Sequence, residues 1–238
     1  MERLDKMVAN TGHWSRKEVR ELVKQGRVTV DGVAADKFDA KYPPEAVVAV
    51  DGTPLRHSRA TYLMLHKPAG VLSATEDRRQ ATVLDLLPKH YQRLGLFPVG
   101  RLDKDTEGLL LLTDDGALSH ELLSPKKHVD KVYYAKVEGV IPPTAVAEFE
   151  RGMVLEDGLV CRSAGLELLE EGHACLVTLR EGKFHQVKRM LAHVGTPVTY
   201  LKRLSMGGLV LDERLAPGEW RELDEEEMRL LWSKSTKN

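Results

Sequence analysis

The chain reads as an α+β protein in two parts, a small helix-then-strand module followed by a larger domain whose strands and helices mix without regular alternation. Three observations carry that reading. Apolar residues near the start recur at helical spacing; the pairs Asp31-Gly32 and Asp51-Gly52 close short β-branched runs; and beyond residue 60 apolar runs of strand length are interspersed with helical ones.

Leu4, Met7 and Val8 predict a first helix that stops at Asn10-Thr11-Gly12. Ser15 and Glu18 have the spacing of a capping box for a second helix that buries Val19, Leu22 and Val23, and Gly26 offers it a left-handed cap. Residues 27–30 and 47–50 then read as strands, each running into an Asp-Gly turn. Arg16, Lys17, Arg20, Lys24 and Arg27 lie along the second helix and its exit, a pattern whose ordinary meaning is a solvated helix face. The polar stretch 56–61 sets a boundary near residue 59, giving domains 1–59 and 60–238.

In the second part, strands are expected at 62–66, 108–113, 131–138, 174–180 and 197–201, and helices near 82–87, 117–123, 142–151, 184–194 and 224–232. The four leucines 109–112, bounded by Gly108 and the turn Asp114-Asp115-Gly116, predict a fully buried strand.

With 238 residues, 42% of them hydrophobic and 30% charged, the chain can bury an ample core. Its charged start and the lack of any run of roughly 18 apolar residues argue against secretion and membrane insertion. Cys161 and Cys175 lack metal-ligand spacing with a His pair and fit a reducing compartment, so the cytoplasm is the expected address. A monomer is expected, since neither a coiled coil nor a large apolar helix is evident. Net charge is -1, but residues 1–30 carry +3 and residues 176–206 carry +5, balanced by acids in 212–229. Two basic faces on a near-neutral chain point to a phosphate-rich partner.

The polar run 100–108 sits between Phe97-Pro98-Val99 and the leucine strand, which fixes Asp103 on a loop with a rigid base. Its ordinary alternative is a turn whose carboxylates cap backbone amides. Asp103, Asp105, Glu107, Gly108 and Asp114 also stand at the first, third, fifth, sixth and twelfth places of a calcium-loop pattern. Glu at the fifth place, Asp at the twelfth and the absence of flanking helices count against that reading. Residues 182–190 enter a helix whose apolar set is Val187, Met190, Leu191 and Val194, leaving His185, Lys188 and Arg189 able to face a cleft. Residues 131–137 alternate as a half-buried strand with Tyr133 and Tyr134 on opposite faces. An acid, an aromatic and a cation suit holding a nucleobase and acting on its glycosidic bond, although aromatics and cations also bind RNA without catalysis.

The first 50 residues resemble the RNA-binding domain named after ribosomal protein S-four, on Arg3-Leu4-Asp5-Lys6 and Val28-Thr29-Val30-Asp31-Gly32. Gly100-Arg101-Leu102-Asp103 with Thr106 and Gly108-Leu109 is similar to the catalytic motif of the pseudouridine synthases. Lys67-Pro68-Xaa-Gly70, Lys131-Val132-Tyr133 and His185-Gln186-Val187-Lys188-Arg189 are similar to that family's other motifs, in the same order. The resemblance covers nearly the whole chain and runs closest to the branch acting on the small ribosomal subunit.

It implies a catalytic domain with a mixed, mainly antiparallel sheet, and isomerisation of one uridine in 16S ribosomal RNA to its C-glycoside, with no cofactor and no required metal. The RNA is either free or within a partly assembled small-subunit particle. Asp103 matches the essential aspartate, which must be ionised; a carboxylate in a cleft loses hydration, so it needs a nearby cation, and Lys188 matches that cation. Tyr133 matches the tyrosine that packs on the target base, with Tyr134 expected as the buried partner on the strand. Arg101 matches a residue near the flipped nucleotide.

Lys183 and Arg189 are expected as phosphate contacts, and Arg16, Lys17, Arg20 and Lys24 as the docking face of the first domain. Lys67 is either a salt-bridged loop lysine or a contact to RNA or the active site. Asp105, Glu107, Asp114 and Asp115 are expected to be structural. The rival readings are a synthase for large-subunit (23S) ribosomal RNA and a non-catalytic RNA-binding assembly factor.

Overall fold

A computed structural model describes residues 1–55, 60–124 and 129–231. Leu4, Met7 and Val8 make the buried side of α1 (Leu4–Ala9). The N–H of Ser15 donates to the Glu18 carboxylate at 2.6 Å and the N–H of Glu18 donates to the Ser15 hydroxyl at 3.3 Å, so two otherwise unpaired donors start α2 (Arg16–Lys24). That helix buries Val19, Leu22 and Val23 in one apolar cluster with α1 and the strands β1 (Val28–Val30) and β3 (Val48–Val50). The short strands β2 (Val33–Ala34) and β4 (Thr53–Pro54) complete a sheet in the order β2-β1-β3-β4. Both hairpin turns take positive φ at two successive residues, 50° and 80° at Asp31-Gly32 and 51° and 75° at Asp51-Gly52, the left-handed pair that suits Asp-Gly. Arg16, Lys17, Arg20 and Lys24 are exposed, with Arg20 4.7 Å over the Phe38 ring and Lys24 paired to Glu21 at 2.8 Å. The boundary expected near residue 59 falls at 56–59, outside the described residues.

The larger part runs β5 (Tyr62–Lys67), a 3-10 turn (Val83–Leu86) where a helix was expected, α3 (Lys89–Gln92), β6 (Glu107–Thr113), α4 (Gly116–Leu123), β7 (Lys131–Val137), α5 (Thr144–Arg151), β8 (Gly165–Leu169), β9 (Ala174–Leu179), α6 (Gln186–His193), β10 (Val198–Met206), β11 (Trp220–Glu222) and α7 (Glu225–Leu230). Its sheet has the order β8-β9-β7-β10-β6-β5-β11, with Phe97–Pro98 added to β6 and Leu209–Val210 to β10. Among the described pairings of this sheet, β6 with β10 is parallel and the rest are antiparallel, as expected. The first part meets the second at α3, where the His13 ring stacks on His90 at 4.5 Å and Arg93 donates to the His13 carbonyl at 3.2 Å.

Cores lie on both faces of the sheet, which is why the leucine run is continuous. Leu110 and Leu112 join Leu63 and Leu65 on one face, while Leu109 and Leu111 join Met64, Leu118 and Leu122 on the other. Besides the two-residue additions, the two edge strands of this sheet escape the sequence pattern. At one edge, β8 carries an exposed Glu167; at the other, β11 is three residues long and two of them are charged. The strand expected to end at 201 continues to Met206, because the cationic pair Lys202-Arg203 that breaks the apolar alternation includes a buried arginine.

The parallel pairing of β6 with β10 centres on Gly108 opposite Arg203. Gly108 has φ +107°, and a Cβ there would overlap the backbone of Arg203. Arg203 is only 2% exposed and its Nε donates to the Leu109 carbonyl at 2.8 Å, which locks the same contact from the side-chain end.

Among the described residues no helix is long and apolar enough to cross a membrane. Cys161 and Cys175 are buried free thiols, and burial pushes the Cys175 thiol up to about 12. Gly108→Ala is expected to destabilise the fold by about 2 kcal/mol or more, read as a lower urea midpoint; a midpoint equal to the wild type would show that the strand pair tolerates a side chain there.

Candidate active site

Asp103 stands in a loop that is held from several sides. The Ser73 hydroxyl accepts from the N–H of Leu102 at 3.0 Å and donates to its carbonyl at 2.9 Å, acting on the residue before Asp103 as a strand neighbour would. The N–H of Thr106 donates back to the Asp103 carbonyl at 3.1 Å. Gly100 opens the loop with φ +78°, and a Cβ there would meet the Leu123 side chain at 2.9 Å.

Beneath this loop lies Lys67, 0% exposed at the end of β5. Its ammonium donates to the carbonyls of Pro68 at 3.0 Å, Lys104 at 3.3 Å and Thr106 at 2.9 Å, matching three N–H donors to three acceptors. Of the two roles open to Lys67, the structure therefore gives it neither a surface salt bridge nor an exposed contact: it ties the Asp103 loop together. Burial pushes its pKa down to about 8, against the pull of Asp105, Asp103 and Glu107.

The second wall comes from α6. Val187, Met190 and Leu191 are buried, which turns Lys188 toward the loop, with Nζ 3.1 Å from Asp103 Oδ2 and 2.6 Å from Asp105 Oδ1. Burial works to lower the pKa of Lys188, but hydrogen bonds to Asp105 and Asp103 outweigh it and hold the ammonium above the usual lysine value. Asp105, expected to be structural only, thus shares the cation, and that hydrogen bond holds its carboxyl below the usual range. Asp105 is 74% exposed against 27% for Asp103, so solvent screens the Asp105 pair more.

Tyr133 on β7 is buried, lies directly across from Arg203 on β10, and shares an apolar cluster with Leu102 and Val187, the neighbours of Asp103 and Lys188. Tyr134 faces the other way, half-exposed, donating to Glu170 at 2.8 Å. The expectation that Tyr134 is the buried partner is therefore reversed. The core that contains Phe149 of α5 and Val187 of α6 covers the Tyr133 face, and strand alternation leaves Tyr134 on the more open one. Lys131 is also buried; burial and the charge of Arg203 push its pKa down to about 8.

Arg101 is exposed and, like those of Arg16 and Lys17, its side chain has no hydrogen bond or ion pair to another described residue. Lys183 and Arg189 are already partnered, Lys183 by Glu181 at 3.4 Å and the Val160 carbonyl, Arg189 by Asp157. Glu107 accepts from Tyr200 at 2.8 Å; Asp114 accepts from the N–H of Thr61 at 2.7 Å; Asp115 caps α4 through the N–H of Leu118 at 3.0 Å. These three are structural, as expected. The calcium pattern does not converge on one point, because residues 107–113 form an extended strand that spans roughly 20 Å. Ser73 has no sequence signature, since a lone serine outside any motif carries no pattern.

The chain belongs to the RNA pseudouridylate synthase family, whose model matches residues 61–193, and an S4 domain matches residues 2–43. It is an RNA pseudouridine synthase, an isomerase. It is 50% identical over 233 residues to the uncharacterized RNA pseudouridine synthase YtzG of Bacillus subtilis (strain 168), covering 96% of this chain and 98% of that one. It is 40% identical over 228 residues to ribosomal small subunit pseudouridine synthase A of Escherichia coli (strain K12), covering 95% and 98%. A crystal structure of a pseudouridylate synthase superposes with TM-score 0.69 at 32% identity, over 97% of this chain and 100% of that one.

Lys67→Met leaves buried carbonyls without a donor and is expected to cost roughly 2–5 kcal/mol of stability. The folded chain holds the Lys67 proton less tightly than the unfolded chain, whose lysines titrate near 10.4, so between pH 8 and about 10 the unfolded state carries the extra proton. The wild-type advantage over Lys67→Met should therefore grow as pH rises through that window in urea titrations; an advantage that shrinks above pH 8 would contradict this.

Proposed function

We propose that this synthase isomerises a uridine of small-subunit (16S) ribosomal RNA with Asp103 as the reacting carboxylate. The observation that carries the reading is the Lys188–Asp103 pair at 3.1 Å, on a loop pinned by Lys67 and Ser73. Relatives named ribosomal small subunit pseudouridine synthase A, 40–41% identical over nearly their whole length, support the choice of RNA.

Isomerisation breaks the N1–C1′ bond, turns the freed uracil, joins C5 to C1′, and releases the hydrogen of C5 as a proton while N1 takes up a proton in its place. Whether Asp103 attacks C1′ or removes a proton from the sugar, it must be ionised, and Lys188 serves that state. Tyr133, largely buried but sharing its apolar cluster with Leu102 and Val187 beside Asp103 and Lys188, packs on the uracil with the part of its ring left uncovered and limits the path of the base while it is detached. Arg101, a loop cation with no side-chain partner among the described residues, faces the flipped nucleotide, whose extraction from its stack precedes the chemistry.

Residues 1–59 form the docking domain and residues 60–238 the catalytic one. Arg16, Lys17, Arg20 and Lys24 contact phosphates from α2, while Lys183 and Arg189 do so by exchanging Glu181 and Asp157 for RNA. The enzyme works in the cytoplasm as a monomer.

Tritium release from uridine labelled at C5 tests the core of this reading. Wild type should release tritium from small-subunit ribosomal RNA or its particle and not from large-subunit RNA. Asp103→Asn should abolish release while RNA affinity stays within a few fold. Release from large-subunit RNA alone overturns the substrate, and an active Asp103→Asn overturns the site. Replacing Arg16 and Lys17 together by Ala should weaken RNA binding and flatten the slope of log affinity against log salt by about 2, and an unchanged slope would remove that face from the interface.

A further inference from the structure

We propose that Phe184, stacked on His185, is a platform for an RNA base beside the flipped uridine, returning to that base the stacking it loses when the uridine leaves. The proposal rests on Asp103 as the reaction centre. Phe184 is 75% exposed, and among the described large hydrophobic residues left exposed it is the aromatic one. Single exposed apolar side chains are common and need no explanation, but this one is organised.

Its ring lies on the His185 ring with centroids 3.8 Å apart and planes 18° from parallel. The inner ring points Nε2 toward the reaction centre, 3.5 Å from Asp103 Oδ1, so the two rings form a short stack from that carboxylate out to solvent. Backbone conformation builds the stack. His185 has φ 51° and ψ 31°, a left-handed geometry that a non-glycine side chain adopts at a cost, and it does so at the N-cap of α6 without using its side chain as a cap. The turn is held by the N–H of Lys183 donating to the Gln186 side chain at 3.1 Å, and by the N–H of Gln186 donating to the Lys183 carbonyl at 3.2 Å. Gln186 is in turn anchored on Glu181 at 2.7 Å.

A flat apolar ring stacked toward solvent, near the Asp103 carboxylate and next in the chain to Lys183, matches a nucleobase better than a protein side chain. Lys183 suits a phosphate beside that base, and every base has a face for the ring. Flipping a uridine exposes the face of its neighbour, and the cost of that exposure is what an outward-facing ring next to the reaction centre can offset.

The test uses whichever ribosomal RNA the wild type modifies, so that an error in the substrate does not affect it. Phe184→Ala should raise both KM in the tritium-release assay and the Kd for that RNA about tenfold or more, with the smaller share of the loss in kcat. Phe184→Tyr and Phe184→Trp should stay within threefold of wild type. Phe184→Leu, apolar but not planar, should remain as impaired as Phe184→Ala, and all four should keep the wild-type urea midpoint. A Phe184→Ala enzyme within twofold of wild type overturns the platform; so does rescue by Phe184→Leu, or a loss of activity that follows a loss of stability. Asp103→Asn, run alongside, reports separately on the reaction centre.

Discussion

The Lys67 ammonium, fully buried and shared among the carbonyls of Pro68, Lys104 and Thr106, is the contact on which the rest of the site depends. An unpaired charge in an apolar interior costs many kcal/mol, and hydrogen bonding to three carbonyls is what makes this burial tolerable. The loop cannot lift off without stranding that charge. Ser73 adds two further bonds to Leu102, and the N–H of Gly70 donates to the Lys104 carbonyl at 2.8 Å. Asp103 is thus positioned by a neighbourhood that is rigid before any substrate arrives, the condition under which a side chain reacts without first being ordered.

The electrostatics follow from that frame. Lys67 lies below the loop and Lys188 beside it, while Asp103 and Asp105 compete for the same Lys188 ammonium. The closer partner, Asp105, is the more exposed, so an approaching polyanion displaces it more readily than it displaces Asp103. Arg203 and Lys131, both buried, add positive charge around the strand pair that carries Tyr133. The near-neutral total of the chain hides this local excess.

Much of the scaffold was legible in the residues themselves. The capping box at Ser15, the Asp-Gly turns and the doubly buried leucine strand each follow from local chemistry, and the structure has all three. Asp103 and Lys188 came through resemblance to a family motif, and the pairing of residues so far apart in the chain has no local signature. What could not be read falls into two kinds. Edge strands such as β8 and β11 carry charge that masks their periodicity, and buried cations such as Lys67 and Arg203 look like surface residues until their acceptors are known. The two tyrosines show the limit of alternation, which separates faces but does not say which one is covered.

The parallel pairing of β6 with β10 also orders events during synthesis. Parallel neighbours need a crossover, and here it takes in α4, β7, α5, β8, β9 and α6. A chain that has emerged only through α5 already carries Asp103 and its Lys67 tie, but it lacks Lys188 and the Arg203 that seats against Gly108. Such long-range closures form late and slowly. A nascent or C-terminally truncated chain therefore holds half of the proposed reaction centre, and the fold that sets Lys188 against Asp103 is incomplete until β10 has been made and has docked beside β6.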